Sequence, residues 1–176
     1  MILIHRDAID GCLRGLVKGL RENGVVVNLE SGLLQHDYLQ DQGVREMIRP
    51  DHFFQEFLRK EITIMSVSSM QEAINLIHQH GSSHTEGIIT EDEAAANAFL
   101  DLVDSAGVYW NASTRFADGY RYGFGAEIGV STNRIHARGP VGMEGLTIYK
   151  YVLKGDGHTV GEYQNGTRSF KHKDLM

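Results

Sequence analysis

A single cysteine among 176 residues leaves no internal disulfide to build, and that usage fits a reducing compartment. No apolar run reaches the roughly 18 residues a membrane-crossing helix needs, and no charged-then-apolar leader with a small-residue cleavage site opens the chain. The reading is a cytosolic protein with no membrane partner. Only two prolines, against 41% hydrophobic and 23% charged residues, exclude a disordered or collagen-like chain, and 20 glycines exclude a coiled coil. Positive charge is also short: 17 basic against 23 acidic residues give a formal charge of −6, so a phosphate backbone finds no broad attraction and nucleic acid is not an expected partner. Nine histidines soften that balance as pH falls without forming a basic patch. What remains is an ordinary soluble domain, long enough to bury a core without disulfide or metal staples.

Strand and helix signals alternate along most of that length. Ile2-Leu3-Ile4 is a short apolar run, and Asp7 is placed to cap a helix carrying Ile9, Leu13, Leu16, Val17 and Leu20 on one face and ending at Asn23-Gly24. Val25 to Leu29 reads as a strand, residues 31 to 50 mostly as loop up to Pro50, and His52 to Leu58 as an aromatic and apolar cluster. Glu61 to Val67 alternates as a strand does. Ser68 or Ser69 can then cap a helix, with Glu72 near the reciprocal position and Gly81 as its stop. Gly87 to Thr90, Glu91 to Val103 and Gly107 to Asn111 repeat the unit as strand, helix, strand. Such alternation predicts an α/β fold with a largely parallel sheet. Beyond Ala112 lies Gly-rich loop, Leu146 to Leu153 reads as a final strand, and the tail from Gly155 as a surface extension.

Several residues that invite a chemical role have plainer readings. His78, His80 and His84 lack a cysteine to complete a zinc set, and helical spacing turns His78 and His80 to different faces, so no metal site is expected. Gly123 to Gly129 lacks the G-x-G-x-x-G spacing and follows no apolar strand. Cys12 falls within the first helix as a buried small hydrophobe rather than a nucleophile. More promising is Asn111-Ala112-Ser113-Thr114-Arg115-Phe116, where a strand ends in hydroxyl donors beside a guanidinium. An arginine fork with neighbouring hydroxyl and N–H donors matches a planar anion, and parallel sheets bind ligands at the carboxyl ends of their strands. A surface turn explains the same residues. His136-Ala137-Arg138-Gly139-Pro140 offers that chemistry more weakly, because a Gly-Pro turn accounts for it equally.

Gly81-Ser82-Ser83-His84-Thr85-Glu86, the run Asp104 to Phe116, Gly123 to Gly129 and Ile135 to Pro140 closely resemble γ-glutamyl phosphate reductase, also called glutamate-5-semialdehyde dehydrogenase. The resemblance runs in order from about Ile2 to Gly157. The wording Tyr-Trp-Asn-Ala-Ser-Thr-Arg-Phe-Ala-Asp-Gly-Tyr, with its long polar tail, is most similar to eukaryotic members, fungal ones among them, and to the reductase half of pyrroline-5-carboxylate synthase. Leu76 departs from the family, which has His in that run.

The resemblance implies an aldehyde-dehydrogenase-like fold and NADPH-dependent reduction of γ-glutamyl phosphate to glutamate semialdehyde on the route to proline. There a cysteine thiolate expels phosphate and forms a thioester, which accepts hydride. The family's nucleophile and cofactor domain precede the segment resembling Ile2 to Asp7, so no catalytic residue is carried over and the chain alone is expected to be inactive. Glu56 matches the glutamate that aldehyde dehydrogenases set against the nicotinamide ribose; a solvated glutamate is the plainer reading. Asn111, Ser113, Thr114 and Arg115 fall where related enzymes anchor the substrate's α-carboxylate, and Phe124 and Gly125 would shape the pocket wall. Residues 1–142 then form a partial substrate-side domain, 143–157 an oligomerisation strand and 158–176 a polar tail, with a homo-oligomer formed through residues 146–153. The alternative left open is a non-catalytic module that binds a glutamate-type ligand or another subunit.

Overall fold

Ile2 to His5 form β1, and a 3-10 turn at Arg6–Ala8 leads into α1, Ile9–Glu22. Asp7 does not cap this helix. It lies inside the turn, where its N–H donates to His5 Nδ1 at 3.3 Å, and Ala8 takes the N-cap position without a side-chain bond. The apolar stripe behaves as its spacing requires: Leu13 and Val17 are fully buried. Cys12 is exposed, not buried as expected, because one residue along a helix is a rotation of about 100°, which carries it off the Leu13 stripe. The helix closes at Asn23, and Gly24, at φ +73°, reverses the chain into β2, Val26–Leu29.

This computed structural model describes residues 1–39, 43–46, 55–134 and 136–171. Pro50, residues 52–54 of the expected His52 to Leu58 cluster, Ile135 and the last five residues lie outside them. Residues Ser31–Leu33 and Asp37–Leu39 are 3-10 turns, β3 is Arg45–Glu46 and β4 is Glu61–Val67. The four strands form one parallel sheet in the order β1-β4-β2-β3. Val27, Leu29 and Ile64 from the sheet, Leu13 and Val17 from α1, and Leu33 and Leu39 from the turns make its core.

Ser69 Oγ accepts the Glu72 N–H at 3.2 Å and starts α2, Met70–His80, while the Glu72 carboxylate returns to the Ser68 N–H at 2.7 Å. At Gly81 a side chain is impossible, since a Cβ there would stand 2.5 Å from the Ile77 carbonyl. β5 (Thr85–Ile88), α3 (Glu93–Leu102) and β6 (Gly107–Trp110) follow, with β5 and β6 parallel and Ile74, Phe99 and Val103 buried beside them. The helix starts two residues later than expected because Asp92 caps it, accepting the Ala94 and Ala95 N–H groups at 2.9 and 3.1 Å. Within the expected Gly-rich loop, β7 (Gly129–Ser131) and β8 (Gly139–Val141) pair antiparallel.

The chain divides into two compact units, Met1–Leu146 and Thr147–Met176. The expected strand from Leu146 to Leu153 does not form: Leu146 ends a 3-10 turn, and residues 147–155 adopt no regular secondary structure. A strand is defined by a neighbour that takes its N–H and C=O groups, and none pairs with that run among the described residues. The second unit instead holds α4, Val160–Gln164, where Thr159 N–H donates to the Glu162 carboxylate at 3.0 Å and Tyr163 stacks on Phe170. No helix among the described residues is long and apolar enough to cross a membrane.

Leu13→Ala removes a fully buried side chain from the larger core and is expected to cost about 2–5 kcal/mol, read as a lowered denaturation midpoint at unchanged slope.

Candidate functional site

The parallel ladder of β5 and β6 ends at Ile88 and Trp110. One residue on, Asn111 takes a left-handed conformation at φ +51°, a region that asparagine tolerates better than most side chains. Its backbone N–H still reaches the Ile88 carbonyl at 2.9 Å. Its side-chain amide pairs with the main chain of Thr90: Oδ1 accepts the Thr90 N–H and Nδ2 donates to the Thr90 carbonyl, both at 2.9 Å. Trp110 Nε1 donates to the same carbonyl at 3.0 Å. Asn111 therefore ties the start of one loop to the start of another, which takes one of its two amide N–H groups.

The hydroxyl-rich run beyond it folds into a 3-10 turn, Thr114–Phe116, capped by Ser113 Oγ, which accepts the Arg115 N–H at 3.2 Å. Thr114 turns its methyl toward β5, within 3.7 Å of where a Cβ on Gly87 would stand. Ser113 and Arg115 line a pocket of about 200 Å³ with Phe116 and Arg121. Arg121 does not stand out in the sequence, yet it is the second cation of this pocket. The signal for it is Asp118, three residues earlier, whose Oδ1 accepts the Tyr120 and Arg121 N–H groups at 2.9 and 3.1 Å and so turns the chain back.

Phe124 and Gly125 are not among the lining residues of that pocket. Phe124 meets the edge of Tyr122, with ring centroids 5.6 Å apart, and Gly142 passes so close that a Cβ there would be 3.0 Å from Phe124 Cβ. Tyr122 in turn hydrogen-bonds Tyr109 hydroxyl to hydroxyl, and burial pushes the Tyr109 phenol upward. Gly125 is exposed at φ +77°.

The second anion candidate resolves into an internal ion-pair network. Arg138 lies 2.7 Å and Arg134 2.6 Å from the Asp104 carboxylate, and Arg138 also donates to the Asp104 carbonyl at 3.0 Å. The Arg138 hydrogen bond holds the Asp104 carboxyl below the usual range. Both guanidiniums are thus engaged by protein. Among the expected helix-end histidines, His78 Nε2 accepts the Asp104 N–H at 3.2 Å. No group of three or more His, Cys, Asp or Glu that could hold a metal occurs among the described residues.

Glu56 is exposed between Gln55 and Phe57, which line a groove of about 340 Å³ with Asn28, Arg45, Glu46, Arg59 and Glu61. Glu56 itself is not in that lining. Within the groove the Glu61 carboxylate is 2.6 Å from Arg59 Nε and accepts from Asn28 Nδ2 at 3.0 Å. On β5, burial pushes the Glu86 carboxyl above its ordinary range.

These features define a parallel α/β protein whose cationic pocket lies just past a strand's carboxyl end. No protein-family model matches the chain. Full-length similarity does: γ-glutamyl phosphate reductase of Parasynechococcus marenigrum is 44% identical over 174 residues, 99% of this chain and 39% of that protein. The Saccharomyces cerevisiae protein of that name is 54% identical over 125 residues, 70% of this chain and 27% of that protein. The crystal structure of γ-glutamyl phosphate reductase from Thermotoga maritima superposes with a TM-score of 0.82 at 41% identity, covering 89% of this chain and 37% of that one. The chain belongs to the γ-glutamyl phosphate reductase family and corresponds to its C-terminal part, spanning about two fifths of the length of the curated relatives it matches.

The Glu61 cluster makes a pH prediction. The Arg59 hydrogen bond, and then that of Asn28, hold the Glu61 carboxyl below its ordinary 4.5. Stability from the ionised group is therefore in place above pH 4.5 and lost as pH falls through the lowered value. Denaturant titrations of the protein and of Glu61→Gln should differ at pH 7 and converge as pH falls through that lowered value; an unchanged difference would contradict the pairing.

Proposed function

We propose that this segment is the substrate-side part of an NADPH-dependent γ-glutamyl phosphate reductase, and that its pocket holds the α-carboxylate of the glutamyl group. The observation that carries the reading is the joining of the Ser113 hydroxyl and the Arg115 guanidinium in one pocket beyond β6. A guanidinium fork beside a hydroxyl donor suits a planar carboxylate, and holding that end leaves the γ-acyl group extended away from it. Glu56 is the residue suited to the cofactor: an exposed carboxylate accepts hydroxyl hydrogen bonds from a ribose, and Gln55 and Phe57 beside it border an open groove. NADPH, when bound, supplies the hydride that reduces the acyl carbon to the aldehyde, with phosphate as the leaving group. Cys12 is not assigned the thiol for this chemistry, because the family's nucleophile, by the resemblance, precedes the stretch matching Ile2 to Asp7.

In this reading the segment alone binds and does not turn over. Calorimetry of the purified chain with L-glutamate should detect weak binding that Arg115→Ala abolishes, and γ-glutamyl phosphate with NADPH should give no loss of absorbance at the reduced-nicotinamide band. Heat of binding that survives Arg115→Ala would remove the carboxylate reading.

We further propose that residues 146–153 pair with a second copy of the chain. Support comes from side chains left in water along the run, with Ile148 87% and Tyr151 89% exposed. Sedimentation should show the chain self-associating and Ile148→Asp shifting it toward monomer; identical profiles would count against the pairing.

A further inference from the structure

The same pocket contains a second guanidinium to which the similarity assigns nothing. Arg121 reaches it from the turn after Asp118, with its own N–H and that of Tyr120 held on Asp118 Oδ1. Arg121 Nη1 donates to the Arg115 carbonyl at 2.8 Å and lies 3.4 Å from Asp118 Oδ2. The Arg115 peptide is therefore fixed from both sides, its N–H on Ser113 Oγ and its C=O under Arg121. Two cations line about 200 Å³, and one carboxylate, that of Asp118, partners Arg121 from outside the lining. The lining carries an excess of positive charge on exposed side chains, which favours an anion seated there.

We propose that Arg121 is a second carboxylate-binding residue, which shares the ligand's anionic group with Arg115 while Asp118 moderates its charge. This rests on the carboxylate reading of the Ser113 and Arg115 pocket. Three consequences separate it from a purely structural role in which Arg121 only braces the Arg115 carbonyl. Charge on the side chain matters apart from fork geometry, so a lysine retains part of the affinity that a glutamine loses. Removal of the Asp118 charge raises affinity, since asparagine keeps the Oδ1 acceptor for the Tyr120 and Arg121 N–H groups while releasing the guanidinium. That gain requires Arg121 to be present.

The test titrates the full chain with L-glutamate by calorimetry at low and high salt, with circular dichroism confirming that each variant is folded. Arg121→Gln should weaken binding about tenfold, Arg121→Lys by less, and Asp118→Asn should strengthen it about threefold. The Asp118→Asn gain should vanish in the Arg121→Gln background. Arg121→Gln binding like the parent, with Arg115→Ala abolishing binding, overturns the proposal and leaves the carboxylate reading intact. A gain from Asp118→Asn that persists without Arg121 also overturns it. No binding by the parent chain is the distinct failure of the carboxylate reading itself.

Discussion

The pocket depends on a single side-chain to main-chain pairing, that of Asn111 with Thr90. The β5 and β6 ladder ends at Ile88 and Trp110, and the Asn111 side chain, next after Trp110, pairs with the main chain of Thr90, two residues past Ile88. Asn111 accepts and donates to one peptide unit at once, and its left-handed backbone turns the chain sharply out of the sheet. Everything from Ser113 to Arg121 hangs from that exit. Trp110 Nε1 adds a second bond to the Thr90 carbonyl, so the exit is held by side chains on both sides of a peptide bond. Position in such a site is set by groups that touch no ligand.

Much of the fold was legible. β4 spans Glu61–Val67 as its alternation indicated, and α1 buries Leu13 and Val17 as its spacing indicated. Boundaries were less so where side chains decide them. α3 begins after Asp92 because that carboxylate captures two N–H groups; β5 begins at Thr85, where it meets Gly107, and stops at Ile88 short of Thr90, which pairs with the Asn111 side chain. The apolar pattern of Leu146 to Leu153 reports a preference for pairing; whether pairing occurs depends on a partner that no local pattern specifies.

The site was legible in kind and less so in detail. Ser113 and Arg115 do meet in a pocket. Asn111, grouped with them by adjacency, holds the Thr90 main chain, and Thr114 turns its methyl toward β5. Neighbours in sequence point in different directions once a tight turn forms, which adjacency alone conceals. Arg138 offered the same chemistry more weakly, and Asp104, roughly 110 Å of extended chain away in sequence, stands 2.7 Å from it in space. Arg121 was hidden for the opposite reason, since its place follows from the turn that Asp118 makes.

The strand order β1-β4-β2-β3 bears on how the chain acquires its shape. β1 and β2, joined by α1, never touch; β4 comes between them. Within this segment, β1 and β2 therefore join one sheet only when Glu61–Val67 slides between them. Such non-local pairing must close a long stretch of chain before it is rewarded, which slows the formation of this sheet.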